Sequence, residues 1–261
     1  MTLLGKDDAP AVEIVTPDAK YRLLITGDHA GNAVPTALGR LGLPPGELDR
    51  HIGWDIGVAD LSRRLSARLG ATAVLARYTR LMIDPNRPLG EHDLIPLKSD
   101  GTPIPANQNL SDDARLARTE ASYWPYHRAV DEQIARLQRM EQVPVLLAMH
   151  SFTPALSSTA APRPWHVGVL YGSDARLPRL LMDAFRARGD LVVGDNEPYS
   201  GITHGYGLKV HGIAHGIPHA ELEIRQDLIG TPEGTQRWAD LLAEILPPIL
   251  EHPDLQKIEH H

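Results

Sequence analysis

Aliphatic runs that carry an ionisable side chain at or near their ends constrain this chain most. Residues 143–150 read Val-Pro-Val-Leu-Leu-Ala-Met-His, 21–29 read Tyr-Arg-Leu-Leu-Ile-Thr-Gly-Asp-His, and 217–224 read Ile-Pro-His-Ala-Glu-Leu-Glu-Ile. A short unbroken apolar run bounded by turn formers is how a strand buried on both faces reads. In open α/β sheets the carboxyl edge of such strands is where ligands bind. His29, His150 and Glu223 are therefore expected to converge on one edge from distant parts of the chain. Two imidazoles and a carboxylate so placed suggest metal-assisted hydrolysis.

Periodicity fills in the frame. Strands are expected near 21–27, 72–78, 143–149, 166–171, 191–194, 208–211 and 217–224. Trp54, Val58, Leu61, Leu65 and Leu69 mark one apolar face of a helix over 52–69. Leu116, Tyr123, His127, Val130, Ile134 and Leu137 do the same for a longer helix over 111–141, which Ser111 and the two aspartates after it can begin. Further helices are expected over 174–188 and 232–251, with Gly189 and Pro247-Pro248 punctuating their ends. Strands alternating with helices predict an α/β sheet covered on both faces. No linker divides the chain, so residues 1–261 are expected to form a single domain, with 1–18 and 254–261 peripheral or flexible. The Pro-, Gly-, Asn- and Asp-rich stretch 85–110 should be an ordered loop or lid, and 151–164 another loop beside the site.

Composition removes several functions. A formal charge of −7 and a pI near 6.0 give no electrostatic footprint for nucleic acid or an anionic membrane. Cysteine is absent, which excludes disulfides, thiolate ligands and a cysteine nucleophile, and suits a reducing cytoplasm. No stretch approaches the ~18–20 apolar residues that span a bilayer, and the start lacks the pattern of a signal peptide. The closing Ile-Glu-His-His resembles the start of a purification tag, so His260 and His261 are set aside from metal arguments.

Around the strand ends, Asn32 follows His29 by three residues and can reach the same point if the chain turns there. An Asx-type turn is its plainer use. Asp55 competes for the third place, since a carboxylate is the better zinc ligand. His51 and Asp55, four apart, are expected on one helical face, paired or supporting a ligand. Arg80, Asp84, Asn86 and Arg87 cluster where a strand runs into the irregular loop. A guanidinium fork with an amide beside it suits a carboxylate, and a surface turn stabilised by Asp84 is the alternative. Glu221 and Glu223 alternate onto one face of an apolar strand, where two carboxylates repel and lose solvation. They point to a cation or metal-bound water, unless the strand is a solvated edge. Arg225 is expected on the opposite face.

Through these residues the chain resembles the N-formylglutamate amidohydrolase family. The likeness runs over residues 21–229. It rests on His-Ala-Gly-Asn-Ala-Val-Pro (29–35), His-Ile-Gly-Trp-Asp-Ile-Gly (51–57), Arg-Leu-Met-Ile-Asp-Pro-Asn-Arg-Pro (80–88), His-Ser-Phe-Thr-Pro (150–154), Arg-Pro-Trp (163–165), Asp-Asn-Glu-Pro-Tyr (195–199) and Glu-Ile-Arg-Gln-Asp-Leu-Ile (223–229). Each is weak alone; in this order they are specific. That family is similar to the zinc carboxypeptidases and aspartoacylases, so the likeness implies a three-layer α/β/α domain with a mixed, mostly parallel sheet and one zinc ion. It implies His29 and His150 as metal ligands, with Asn32 standing where those relatives carry the glutamate of His-x-x-Glu. The third ligand stays open between Asn32, Asp55 and water. The likeness further implies that Asn86 and Arg87 hold a substrate α-carboxylate, that Arg80 polarises the scissile carbonyl, and that Glu223 is the general base. Arg163 and Arg225 are candidates for a second substrate anion.

The expected partner is a small anionic substrate, N-formyl-L-glutamate first, hydrolysed to formate and L-glutamate. Another N-acyl amino acid is the nearer alternative, and a non-catalytic binder of acidic metabolites the more distant one.

Overall fold

Leu23–Gly27 (β2) and Val145–Phe152 (β6) are buried along their whole length and pair in parallel at the centre of a seven-stranded sheet. The computed structural model describes residues 2–156 and 162–260. The sheet also contains β1 (Val12–Val15), β3 (Thr72–Ala76), β7 (Val167–Leu170), β8 (Val193–Asp195) and β9 (His219–Arg225), in the order β1-β3-β2-β6-β9-β7-β8. β3, β2, β6 and β9 run parallel, β1 and β7 are antiparallel to their neighbours β3 and β9, and β8 is parallel to β7. The α/β class and the mixed sheet are as expected. β1 went unrecognised because it is short and its residues are mostly half-buried.

One face is covered by α1 (Val58–Leu69), α4 (Arg176–Ala187) and α6 (Pro232–Leu250). Their buried residues recur at helical spacing: Val58, Leu61 and Leu65; Leu177, Leu181 and Phe185; Trp238, Leu242 and Leu246. They pack on Ile25, Leu147, Met149, Leu222 and Ile224 of the sheet. Each such side chain contributes roughly 1.5–3 kcal/mol by leaving water. α6 continues through Pro247 and Pro248 to Leu250, held there by burial of Ile249 and Leu250. The other face carries a helical unit of α2 (Asp112–Arg118), a π-helical turn (Thr119–Tyr123) and α3 (Trp124–Arg139), begun by the Ser111 hydroxyl accepting from Ala114 N. Tyr126, Val130, Ile134 and Leu137 pack on Leu24, Val74 and Leu146.

Two expected elements differ. Residues 208–211 belong to a π-helical segment, Leu208–Ile213, and not to a strand. Leu208, His211 and Gly212 are its buried positions, a helical period, and a Cβ on Gly212 would come within 2.4 Å of the His219 ring. The first helix begins at Val58, not 52, because Gly57 adopts φ 85° with its Cα turned against Ile229 O. His51 and Asp55 therefore lie in turns and share no helical face.

The stretch 85–110 is ordered by a core of its own. Leu48, Ile52, Tyr78, Met82, Ile95 and Ile104 form a second apolar cluster. Beside it, β4 (Lys98–Ser99) and β5 (Thr102–Pro103) make a small hairpin. The buried Arg118 guanidinium ties the segment together by donating to Met82 O, Ala106 O and Asn107 Oδ1. The chain end is fastened too: Leu255 is fully buried, and Arg176 donates to Asp254 O and Lys257 O. Of the expected 151–164 loop, residues 157–161 lie outside the described residues. No helix among the described residues is long and apolar enough to cross a membrane.

Candidate active site

Asp28 and His29 follow the end of β2, and His150 lies in the neighbouring β6. Parallel register sets His150 directly beside Glu223 of β9, and Ala148 beside Glu221. His150, Glu221 and Glu223 thus share one face of the sheet. All of these side chains are buried. The two imidazoles meet edge to face with centroids 5.1 Å apart.

Hydrogen bonding fixes which nitrogen of each ring is free. His29 Nε2 lies 2.7 Å from Asp84 Oδ1, and His150 Nδ1 lies 2.9 Å from Asp55 Oδ2. An ionised carboxylate can only accept, so each ring donates there and keeps a lone pair on its other nitrogen. Those nitrogens, His29 Nδ1 and His150 Nε2, have no hydrogen-bond partner among the described residues, and neither has Asp28 Oδ1. Asp28 Oδ1 is 3.6 Å from His29 Nδ1 and 3.1 Å from His150 Nε2. Three buried acceptor atoms within 4.8 Å of one another repel. A cation coordinated by all three would satisfy them, and the Asp84 and Asp55 carboxylates behind the rings are the supports such ligands have.

Asn32 does not join this group. Its amide donates to Leu48 O and to Asp49 Oδ1, both at 3.2 Å, on the far side of the turn. Asp28, next to His29, offers an oxygen as the third donor instead. Asp55 is occupied in support: Oδ2 holds His150 and Oδ1 accepts from the Arg80 guanidinium.

The electrostatics favour a cation. Asp28, Asp55, Asp84, Glu221 and Glu223 are all buried, against the guanidiniums of Arg80 and Arg87. Burial pushes the pKa of His150 down, but Asp28, Glu221 and Glu223 outweigh it and the net shift is upward. Burial likewise pushes Asp84 up, and His29 with Arg87 and Arg80 brings it far below the usual carboxylate range. Glu221 is raised mainly by burial. Burial also dominates at Glu223, whose pKa rises to about 7 with His150 and Arg80 opposing and Glu221 adding. Glu223 Oε2 is buried without a hydrogen-bond partner among the described residues.

A cavity of about 220 Å³ opens over these groups, lined also by Arg80, Asn86, Arg87, Phe152, Thr153 and Tyr199. Arg80 donates to Asp55, and its Nε is buried without a hydrogen-bond partner among the described residues. Asn86 Oδ1 accepts from Gly207 N at 2.9 Å, which turns the NH₂ end of that amide the other way. Arg87 Nε donates to Asp93 Oδ2 at 3.1 Å. Tyr199 is brought in by a turn in which Asn196, at φ 52°, accepts from Tyr171 N and Gly201 N through its side-chain oxygen. The Arg163 guanidinium lies over the Tyr199 ring at 5.1 Å and donates to Thr153 O, beside the cavity. Arg225 is directed elsewhere, paired with Asp227 at 2.7 Å.

The structure thus gathers His29, His150, Glu223, Arg80, Asn86 and Arg87 around one cavity, leaves Arg163 beside it, and sets Asn32 apart. Sequence reasoning missed Asp28, and it placed Asp84 in the loop cluster without its link to His29. Asp28 carried a signal, an acidic side chain at the end of the same apolar run as His29. The pairing of Asp84 with His29 carried none, since the two are distant in sequence and Pro85 after Asp84 makes a turn reading natural.

Comparison with known proteins places the chain in a family. A family model described as N-formylglutamate amidohydrolase matches residues 21–230. The structure superposes on a gene product of Agrobacterium tumefaciens with a TM-score of 0.89 at 33% identity, covering 95% of this chain and 98% of that one. It is similar in fold to N-formylglutamate amidohydrolase from Ralstonia eutropha JMP134, with a TM-score of 0.69 at 21% identity, covering 93% and 98% of the two chains. No curated protein matches the sequence. With most of its length matched by the family model, and with these side chains gathered at one sheet edge, this chain belongs to the N-formylglutamate amidohydrolase family.

Proposed function

We propose that this protein hydrolyses the amide of an N-acyl amino acid bearing a free α-carboxylate, N-formyl-L-glutamate first among them, with the help of one divalent cation. The observation that carries the reading is the convergence of Asp28 Oδ1, His29 Nδ1 and His150 Nε2 beside Glu223 Oε2, all buried and without a hydrogen-bond partner among the described residues. Two imidazoles and one carboxylate are a donor set that suits zinc in a catalytic role. Held by Asp28, His29 and His150, the ion would supply Lewis-acid polarisation and make water a better nucleophile near neutral pH. The acyl and amino-acid preference rests on family membership and on the likeness to the N-formylglutamate amidohydrolase of Ralstonia eutropha.

The residues divide the work. Glu223, with its pKa lifted toward neutrality by burial, is matched to take a proton from the attacking water and return it to the leaving amine. Arg80 presents a buried guanidinium edge to the oxyanion that develops on the carbonyl. Asn86 and Arg87 hold the α-carboxylate of the amino acid being released, through amide and guanidinium donors. Phe152 and Tyr199 limit the space around the acyl group.

The test measures metal content and formate release together, on protein free of added histidines. About one equivalent of metal per chain and formate release abolished by chelation are expected. If metal is absent and added zinc produces no hydrolysis of any N-acyl amino acid, the protein is not this enzyme.

A further inference from the structure

Behind Asn86 and Arg87 stands a stack of rings that the mechanism above does not use. Tyr123, at the end of the π-helical turn, donates its hydroxyl to Arg87 O at 2.9 Å. His127, one helical turn along α3, has its ring centroid 4.4 Å from Tyr123, 5.8 Å from Tyr206 and 5.0 Å from His211, on which it stacks. The chain continues outward by hydrogen bonds. His127 Nδ1 is 2.8 Å from His211 Nε2, and His211 Nδ1 is 2.8 Å from Asp131 Oδ1. Since a carboxylate only accepts, His211 donates to Asp131 and accepts from His127 at its other nitrogen. Tyr123, His127 and His211 are buried, while Asp131 lies half-exposed at the surface.

This stack touches the carboxylate-holding pair from two directions. Tyr123 fixes the backbone of Arg87. His211 belongs to the π-helical segment that starts just after Gly207, whose N–H holds Asn86 Oδ1. π-helical turns are uncommon and collect at functional sites, and here two of them, Thr119–Tyr123 and Leu208–Ile213, flank the same loop. An apolar core would have filled this space without the desolvation of two imidazoles and a tyrosine.

We infer that Tyr123, His127, His211 and Asp131 are positioning residues: they set where Asn86 and Arg87 sit and thereby the affinity for a substrate's α-carboxylate. The inference rests on the proposed reading, in which those two residues hold that group.

Full-length, metal-loaded Tyr123→Phe and Asp131→Asn test it, with the conservative Asp131→Glu as a rescue. Each is compared with the unaltered protein in steady-state hydrolysis of N-formyl-L-glutamate and of its α-amide, alongside metal content and thermal unfolding. Losing one net hydrogen bond corresponds to roughly 2–10-fold in affinity. Tyr123→Phe and Asp131→Asn should raise KM for the free acid by about that factor, with kcat within about twofold, metal content unchanged and the α-amide unaffected. Asp131→Glu should recover part of the loss. A lower melting temperature with unaltered KM, or equal changes for acid and amide, would reduce the stack to packing and overturn the inference. If the unaltered protein already treats acid and amide alike, Asn86 and Arg87 do not hold the carboxylate, and the reading falls together with the inference.

Discussion

The site has two poles built on opposite plans. At the strand ends, Asp28, His29 and His150 converge, each with an atom that has no hydrogen-bond partner among the described residues. At the loop, Asn86 and Arg87 are already tied, Asn86 Oδ1 by Gly207 N and Arg87 by Asp93 and Tyr123. Buried polar atoms left unmatched are costly, and in the proposed reading a cation would satisfy those of the first pole. The second is stable as it stands and presents donors already aimed. One pole is completed by what it binds, and the other is organised before anything arrives.

The largest effect that could break this contrast is His150→Ala. It should abolish stoichiometric metal binding, measured by elemental analysis, and hydrolysis with it; unchanged metal content would remove His150 from the first pole. Glu223→Gln comes next, with metal retained and kcat lower by about 10²–10⁴-fold. Near-normal turnover would end its role as base. At the second pole Arg87→Ala should keep metal and raise KM by roughly 10–100-fold, the size of a lost hydrogen bond to a charged group. Loss of metal instead would show that the poles are not separable. Asp84→Asn should weaken metal binding by about 10–100-fold, as the loss of a ligand's support does. Asn32→Ala, away from both poles, should leave metal affinity unchanged within measurement, whereas Asp28→Asn should weaken it; the opposite result would exchange their roles.

The smallest effect concerns stability against pH. His127 is held neutral, its pKa brought down to about 4, mainly by burial, with His211 adding to the shift. Between the unfolded value near 6.5 and the folded one, the unfolded chain binds more protons. Stability should therefore be complete above about pH 6.5 and decline as pH falls toward 4. Replacing His127 by Gln should flatten that part of the denaturation profile; an unchanged slope would mean that other groups set it.

The sheet was readable because its strands are buried on both faces and announce themselves as unbroken aliphatic runs, as Leu146–Met149 does. The same runs gave His29, His150 and Glu223, since a strand's end is also its address. Residues delivered by irregular backbone were harder. Asp55 sits in a turn that Gly57 enforces, and the apolar spacing ahead of α1 imitated one more helical turn. Leu208–Ile213 looked like a strand because its valine and isoleucine are β-branched, while the close approach of Gly212 to His219 decides otherwise. Asn32 drew attention through its spacing from His29, yet only tertiary contact reveals that its amide serves Leu48 and Asp49.

Gly31 lies so close to Arg77 O that a Cβ there would be 2.1 Å from it, and Ala33 N bonds to the same carbonyl. The turn carrying His29 and the segment leading to Asn86 are therefore clamped into one body. In the proposed reading that body acts as a fixed calliper, holding constant the span from a substrate's scissile carbon to its carboxylate.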